Sequence, residues 1–462
     1  MGDSQRVVRI LGAGLAGSEA ALQLADRGIR VELVEMRPEV GTAVHKTGNA
    51  AELVCSNSLK STNPDSAAGM LKAELSALGS HLIEIAMCNR VAAGGALAVD
   101  RDAFSGEATA RLCAHPRIEI SRRLARSLDE EAVGVDALIV ATGPLTEGDL
   151  AQSLYEATGA DNLAFFDAAA PVVMAESLNR EKLFSQSRYE EGAGDYLNAP
   201  FSKEEYEDFA QELIGAERVI KREFESKDLF QACQPIEEIA RTGIDAPRFG
   251  ALKPVGLTDP RTGRRPWAAL QLRAEDAHGE SYNLVGFQTN LTFPEQRRVF
   301  RMIPGLEGAE FARYGVMHRN TFINAPSLLD SNLRFRPEFG ARWSVPVHVA
   351  GQLAGTEGYC EAIRSGLHAA LAVAAELSGE KPLPLPEDTA FGALMGYATD
   401  PQTTGYQPMH VNFGIMRPLD ERIRNKRERY AAYARRGAEA LAGYCCQLRQ
   451  RGLLPAEEGG ER

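Results

Sequence analysis

Two of the seven cysteines at 55, 88, 113, 233, 360, 445 and 446 sit where a thiol can do chemistry. Cys55 lies in Ala51-Glu-Leu-Val-Cys55-Ser-Asn-Ser-Leu-Lys60, a polar loop that is a poor place to hide a thiol. Cys233 lies in Phe230-Gln-Ala-Cys233-Gln-Pro235-Ile-Glu-Glu-Ile-Ala-Arg-Thr-Gly243. Pro235 suits the first turn of a helix and Gly243 its stop, which puts Cys233 just outside a helix N-terminus. The helix dipole there favours thiolate, the form that attacks carbon, while Glu237 and Glu238 oppose the effect. Cys88 and Cys113 read as small core residues, and Cys445-Cys446 as part of a tail helix. No cysteine spacing suits a metal, and none is expected.

A second group of residues points to a dinucleotide. The apolar run Val7–Leu11 stops at Gly12-Ala13-Gly14-Leu15-Ala16-Gly17, a helical pattern follows, and a second apolar run ends at Glu35. Gly12 makes the tight turn, Gly14 admits a pyrophosphate to the backbone, and Gly17 lets the helix pack close to the sheet. The helix N-terminus offers N–H groups to phosphate, and Glu35, 18 residues past the last glycine, is placed for a ribose hydroxyl, with Arg37 beside it. Ala137-Leu-Ile-Val-Ala-Thr142-Gly143-Pro144 adds a strand closing on Ala-Thr-Gly. Val347-His-Val-Ala-Gly351-Gln352-Leu-Ala-Gly355-Thr-Glu-Gly358-Tyr359 adds another strand running into glycines, ahead of a helix from about Cys360 to Glu376. Together the three segments favour FAD over a bare nicotinamide cofactor.

These signals lie at both ends of the chain, so the expected fold is α/β: a discontinuous Rossmann-like FAD-binding domain of glutathione-reductase type with an inserted α+β domain. The expected segments are 1–165, an insertion over 166–314, and 315–462. Within the insertion Ser202-Lys-Glu-Glu205 reads as a capping box, and Trp267–Arg273 and Tyr282–Thr289 as antiparallel strands with turns at Asp259-Pro260 and His278-Gly279. Lys381–Pro386 reads as a stiff linker to a tail that is helical over 420–450.

Composition narrows the class. The 462 residues suffice for two or three domains, and no apolar run reaches the length of a membrane span. The odd cysteine count and the absence of a signal-peptide pattern lead us to expect a cytoplasmic protein. A net charge of −12 argues against broad, nonspecific nucleic-acid binding. Local basic groups remain: Arg417, Arg422, Arg424, Lys426, Arg427, Arg429, Arg435 and Arg436 in the tail, and Arg261, Arg264, Arg265, Arg297, Arg298 and Arg301 in the insertion. They read either as a solvated face or as a phosphate-binding surface.

Several segments together resemble one family, the folate- and FAD-dependent tRNA (uracil-5-)-methyltransferases, TrmFO. They are Gly12–Ala20, Glu52–Lys60, Cys233–Ala240, Tyr314-Gly-Val-Met-His318-Arg319-Asn-Thr-Phe-Ile, Gly351–Tyr359 and Gln407-Pro-Met-His410-Val-Asn-Phe-Gly. The glycine motifs are shared with the related MnmG (GidA) flavoproteins, and His410 departs from the expected Asn. The resemblance implies FAD, 5,10-methylenetetrahydrofolate as carbon donor, NADPH or NADH as reductant, and a uridine of the tRNA T-loop as substrate. It also implies Cys55 and Cys233 as the catalytic pair. Cys233 is read as the uracil nucleophile and Cys55 as an acid/base or protecting thiol near the isoalloxazine, and the exchanged assignment stays open. His318 with Arg319 positions folate or RNA phosphate, or His318 is a buried structural histidine. Ribosomal RNA as target, a small-molecule flavin oxidoreductase and a non-catalytic FAD module are the alternatives, and the oligomeric state is left open.

Overall fold

β1 (Val7–Leu11) enters the glycine turn and leaves as α1 (Leu15–Asp26), which returns to β2 (Arg30–Glu35). In the computed structural model, residues 6–42, 44–159, 163–190, 194–220 and 234–455 are described, without the side chains of 163–167, 318 and 319. Next come β3 (Ser58–Ser61), α2 (Ala67–Ala77), α3 (His81–Cys88), β4 (Arg90–Val91), β5 (Ala96–Val99), α4 (Arg101–Ala114), β6 (Ile118–Arg122), α5 (Leu128–Glu131), β7 (Ala137–Val140) and α6 (Gly148–Thr158). A strand of the C-terminal part, β16 (Val347–Val349), completes a five-stranded sheet in the order β16-β7-β1-β2-β6. Every pairing in it is parallel. Strands buried on both faces are apolar throughout, as in Ala137-Leu-Ile-Val, because helices cover both sides. This is the expected Rossmann-like arrangement.

The first helix and α12 (Tyr359–Leu377) pack on this sheet at backbone distance. A Cβ at Gly366 of α12 would stand 2.1 Å from the Ala16 carbonyl oxygen, so only glycine allows the approach.

Between α6 and β16 the chain leaves along β8 (Leu163–Ala168) and comes back along β15 (Met317–Phe322), the two paired antiparallel. The excursion builds a second sheet, ordered β10-β11-β12-β13-β9-β14, from β9 (Val172–Met174), β10 (Phe184–Ser185), β11 (Tyr196–Phe201), β12 (Ala268–Ala274), β13 (Ser281–Leu284) and β14 (Phe311–Arg313). Helices α7 (Lys203–Gly215), α8 (Ile236–Thr242) and α9 (Phe293–Phe300) accompany it. Ser202 and Glu205 close the capping box on α7. A second hydrophobic core, including Phe201, Phe209, Phe287 and Phe300, lies within this part, separate from the core of the parallel sheet.

Past β15 run α10 (Ala325–Leu328), α11 (Pro337–Gly340), α13 (Ala390–Ala398) and α14 (Lys426–Gln450). Here the structure corrects the reading of a linker to a tail. Leu383 is buried, α13 buries Phe391 and Leu394 in the main core, and Gly437 of α14 lies against Met70 of α2. The tail is part of the cofactor-side core, because its apolar residues recur on one helical face. Among the described residues no helix is long and apolar enough to cross a membrane.

Candidate active site

The glycine turn has the geometry a pyrophosphate needs. Gly12 adopts φ +96°, and a Cβ there would stand 2.6 Å from the Ala141 carbonyl oxygen. A Cβ at Gly17 would stand 1.9 Å from the Gly12 carbonyl oxygen, which locks turn to helix. Gly14, the N-cap of α1, faces open space, so the first N–H groups of a twelve-residue helix are unobstructed by its own side chain. The carboxylate of Glu35 accepts from the Ala13 N–H at 2.8 Å and from Arg37 Nε at 2.9 Å. Glu35 and Arg37 are both buried. Hydrogen bonds from Arg37 hold the Glu35 carboxyl below the usual carboxylate range against the upward pull of burial. Among the described residues, then, Glu35 acts first as a brace of the glycine turn, ionised and fixed in place.

The other two cofactor segments meet this turn. Thr142 Oγ1 and Thr146 Oγ1 lie 2.6 Å apart beside Gly143. The Gly351 N–H donates to Ser365 Oγ of α12 at 2.7 Å, Gln352 Nε2 donates to Glu357, and Gly358 at φ +114° starts α12. Asn320 of β15 is 1 % exposed, and neither of its amide atoms has a hydrogen-bond partner among the described residues. Its neighbours Thr321 and Ile323 bond through their N–H groups to Pro144 and Leu353, one in each turn. An orphaned buried amide between the two turns is what a ligand with ring donors and acceptors satisfies. These residues fit a dinucleotide such as FAD.

Cys55, half-buried, is tied into the same place. Its N–H and that of Ser56 both donate to the Tyr359 hydroxyl at 3.0 Å. Its thiol points to the Ala168 carbonyl at 3.8 Å, at the end of β8. From the insertion, Arg313 donates to the carbonyls of Val54 and Cys55 at 3.2 and 3.4 Å. Arg101 reaches Leu53 and Cys55 from α4 and pairs with Glu275. Arg273 Nε donates to Asn57 Oδ1 at 2.8 Å and Arg273 Nη2 to Ser56 Oγ at 2.7 Å. Burial, and then mutual repulsion with Arg101, lower the Arg313 guanidinium pKa, a sign of how closely the two cations are held. Such positive charge favours an anion at the loop, whether thiolate, enolate or phosphate. Burial, then the proximity of Cys55, push the Tyr359 hydroxyl above the phenol range, so it remains protonated.

Not every sequence-predicted residue arrives here. Cys233 lies outside the described residues. His318 and Arg319 belong by backbone to β15, opposite Asp167 and Phe166, and their side chains lie outside the description. Arg264 and Arg265 precede the start of β12, whose other end carries Arg273 to the Cys55 loop; the strand separates them by about 20 Å. They are therefore not gathered with Cys55. Cys88 and Cys113 are exposed, which corrects their reading as core residues; each lies in the last turn of its helix on the outer side. His410 sits by Lys60 and Glu361, and burial, then Lys60, hold its pKa below the ordinary value. Arg417 and Arg436 of the basic tail both pair with Asp388, while Arg422, Arg424 and Arg429 line an open cleft of about 490 Å³ with Tyr433.

Residues 7–381 match the family described as Glucose inhibited division protein A. Over 94 % of its length the chain is 50 % identical to the methylenetetrahydrofolate–tRNA-(uracil-5-)-methyltransferase TrmFO of Moorella thermoacetica, 97 % of which is covered. It is 51 % identical to the TrmFO of Carboxydothermus hydrogenoformans, with 94 % and 98 % covered. The chain belongs to the TrmFO family. A GidA structure from Aquifex aeolicus superposes with a TM-score of 0.71 at 15 % identity, covering 98 % of this chain and 77 % of that one, which shows a common fold. In this TrmFO-family chain Tyr359, Arg101, Arg273 and Arg313 join the site beyond the residues that the sequence points to. Tyr359 carried a signal, since it closes the Gly351–Tyr359 motif. The three arginines carried none, because only the fold brings them to one loop.

Proposed function

We infer that this chain is a methylenetetrahydrofolate-dependent methyltransferase that forms 5-methyluridine in tRNA, with FAD as cofactor and NADPH or NADH as reductant. The observation that carries the reading is the grip of Tyr359 on the Cys55 loop. The first residue of the helix that follows the cofactor turn fixes the backbone of a candidate catalytic thiol. Agreement at half of all positions with relatives named for this reaction supports it. We place the target uridine in the T-loop, the protein in the cytoplasm, and the segments at 1–165, 166–314 and 315–462. The two separate cores support that division.

Gly12–Gly17, Glu35 with Arg37, Thr142-Gly143 and Gly351–Gly358 would hold FAD. When bound, it supplies the reducing equivalents that turn the methylene unit into a methyl group. The protein's own task is to make C5 of uracil nucleophilic. A thiolate adds to C6, and the electron pair moves onto C5 and the C4 carbonyl as an enolate. C5 then bonds to the one-carbon unit as that carbon's bond to the tetrahydrofolate nitrogen breaks, the C5 proton passes to a base, and, once the carbon has been reduced to a methyl group, elimination releases the thiolate unchanged. We assign the addition to Cys233 and the acid/base or protecting role to Cys55. The guanidiniums of Arg101 and Arg313 stabilise negative charge beside the Cys55 loop.

Tritium release from [5-³H]uridine tRNA lacking the modification tests the activity. The FAD-loaded protein should release tritium only with methylenetetrahydrofolate and NAD(P)H present. Release confined to ribosomal RNA, or reductant oxidation indifferent to RNA, overturns the tRNA assignment. Trapping with 5-fluorouridine tRNA assigns the thiols: capture should be lost in Cys233→Ala and persist in Cys55→Ala, and the reverse pattern exchanges their roles.

A further inference from the structure

We propose that the aromatic rings of Phe311, Tyr314 and Phe293 form a stacking platform for an RNA base next to the target uridine, with Arg297 on the adjoining phosphate. The proposal rests on the tRNA reading above and specifies how the substrate is held. The rings lie nearly parallel: Phe311–Tyr314 at 4.9 Å and 13°, and Tyr314–Phe293 at 4.7 Å and 16°. In the neighbouring core Phe201–Tyr206 stand at 89° and Phe287–Phe300 at 66°, and Phe209–Phe287, at 25°, is spaced wider at 6.2 Å. A parallel ladder ends on a flat π-face that accepts another flat ring. That end is Phe293, 49 % exposed.

A lone exposed phenylalanine needs no explanation. This one is fixed in place. It opens α9 ahead of Pro294, which narrows its backbone freedom. Three residues on, the buried Gln296 accepts from the Gly315 N–H and donates to the Gly315 carbonyl, both at 2.8 Å, stapling α9 to the segment that carries Tyr314. Arg297 donates twice to the Tyr314 hydroxyl, at 2.7 and 3.1 Å, and has no carboxylate partner among the described residues. Its neighbour Arg298, by contrast, is paired with Glu295 and Glu212. So at the ladder's edge stands a cation with no carboxylate partner among the described residues.

The ladder also adjoins the Cys55 loop. Arg313, between Phe311 and Tyr314, holds the Val54 and Cys55 carbonyls. A Cβ at Gly315 would lie 2.7 Å from the oxygen of Ala169, the residue after the carbonyl that the Cys55 thiol points to. A uracil extruded toward that thiol leaves its neighbours unstacked. An aromatic face with a cation at its edge replaces the lost stacking for any base and takes up the phosphate.

Equilibrium binding of unmodified tRNA to the FAD-loaded protein tests this. Phe293→Ala and Phe293→Leu should each weaken binding roughly ten-fold and raise KM for tRNA, while Phe293→Trp stays within about two-fold of wild type. Arg297→Gln should lower the slope of log Kd against log salt by about one, and Phe293→Ala should leave it unchanged. Flavin absorbance and melting temperature serve as controls of folding. Leucine binding as tightly as phenylalanine overturns the platform, and so does weakening shared equally by tryptophan. If the wild type methylates tRNA and Phe293→Ala binds it equally well, the platform alone falls. If the wild type neither binds nor methylates tRNA, the functional reading falls and the platform with it.

Discussion

Removing the Tyr359 hydroxyl leaves the N–H groups of Cys55 and Ser56 without their acceptor. Each buried unpaired donor costs about 1–3 kcal/mol, enough to let the loop shift. Tyr359→Phe should therefore keep its FAD yet lose methyl transfer by roughly ten-fold, read as tritium release at saturating folate. Unchanged turnover would mean that Arg101 and Arg313 hold the loop alone. Glu237 gives a pH prediction. It is buried, and burial raises its pKa to about 7 despite hydrogen bonds from Asn290 N and Thr289 Oγ1. A carboxyl whose folded pKa is raised binds its proton more tightly folded than unfolded. Its contribution is complete below the unfolded value of 4.5 and is lost as pH rises toward about 7. Urea unfolding of the insertion at pH 5 and pH 8 should show that loss in the wild type and less of it in Glu237→Gln. The amide can face its oxygen to Asn290 N and its nitrogen to Thr289, so the shape is kept. Equal losses in the two proteins would remove Glu237 as the cause.

The elements hold together by close approach, and glycine substitutions probe this sharply. Gly366→Ala drives a methyl into the Ala16 carbonyl, 2.1 Å away. Overpacking of this kind costs about 1–3 kcal/mol. It should lower the melting temperature and loosen FAD, read as flavin released on dialysis, although position 366 lies outside the cofactor turn. Gly106→Ala in α4 makes the contrast: nothing lies within 4 Å of its Cβ, so it should stabilise by about 0.5–1 kcal/mol. At this scale the sequence was legible wherever a local rule decides the outcome. Turn glycines, a capping box and period-two or period-3.6 apolar patterns yield the strands, α7, α12 and α14. Convergence from distant segments was not legible. No local pattern tells that Arg273 and Arg313 reach a loop more than two hundred residues earlier. Nor does one tell that Cys88 and Cys113 face outward at helix ends, or that Glu35 turns to brace Ala13 and Arg37.

Among the described residues the two large cores are joined by polar contacts and by a small apolar cluster of Val91, Ala93 and Ala98 with Tyr196. Asn57 is fully buried at the join: its amide donates to Val99 and Ala274 at 3.0 and 2.9 Å and accepts from Arg273. Asn57→Ala leaves those partners unsatisfied and should cost about 2–4 kcal/mol. Because the lost bonds cross the join, the variant should unfold in two calorimetric steps where the wild type is more nearly cooperative. A single transition of unchanged width would place the coupling elsewhere.

Consider synthesis. The groove that α1 presents to α12 is complete at Asp26, yet its occupant begins only at Tyr359. Until that late helix clears the ribosome, the apolar side of the opening strand-helix-strand unit has no cover, while the whole excursion between them is free to collapse on its own core. Nascent chains stalled or truncated before residue 359 should thus be clients of chaperones. The nucleotide pocket then matures only with this late helix, although its glycine turn emerges long before.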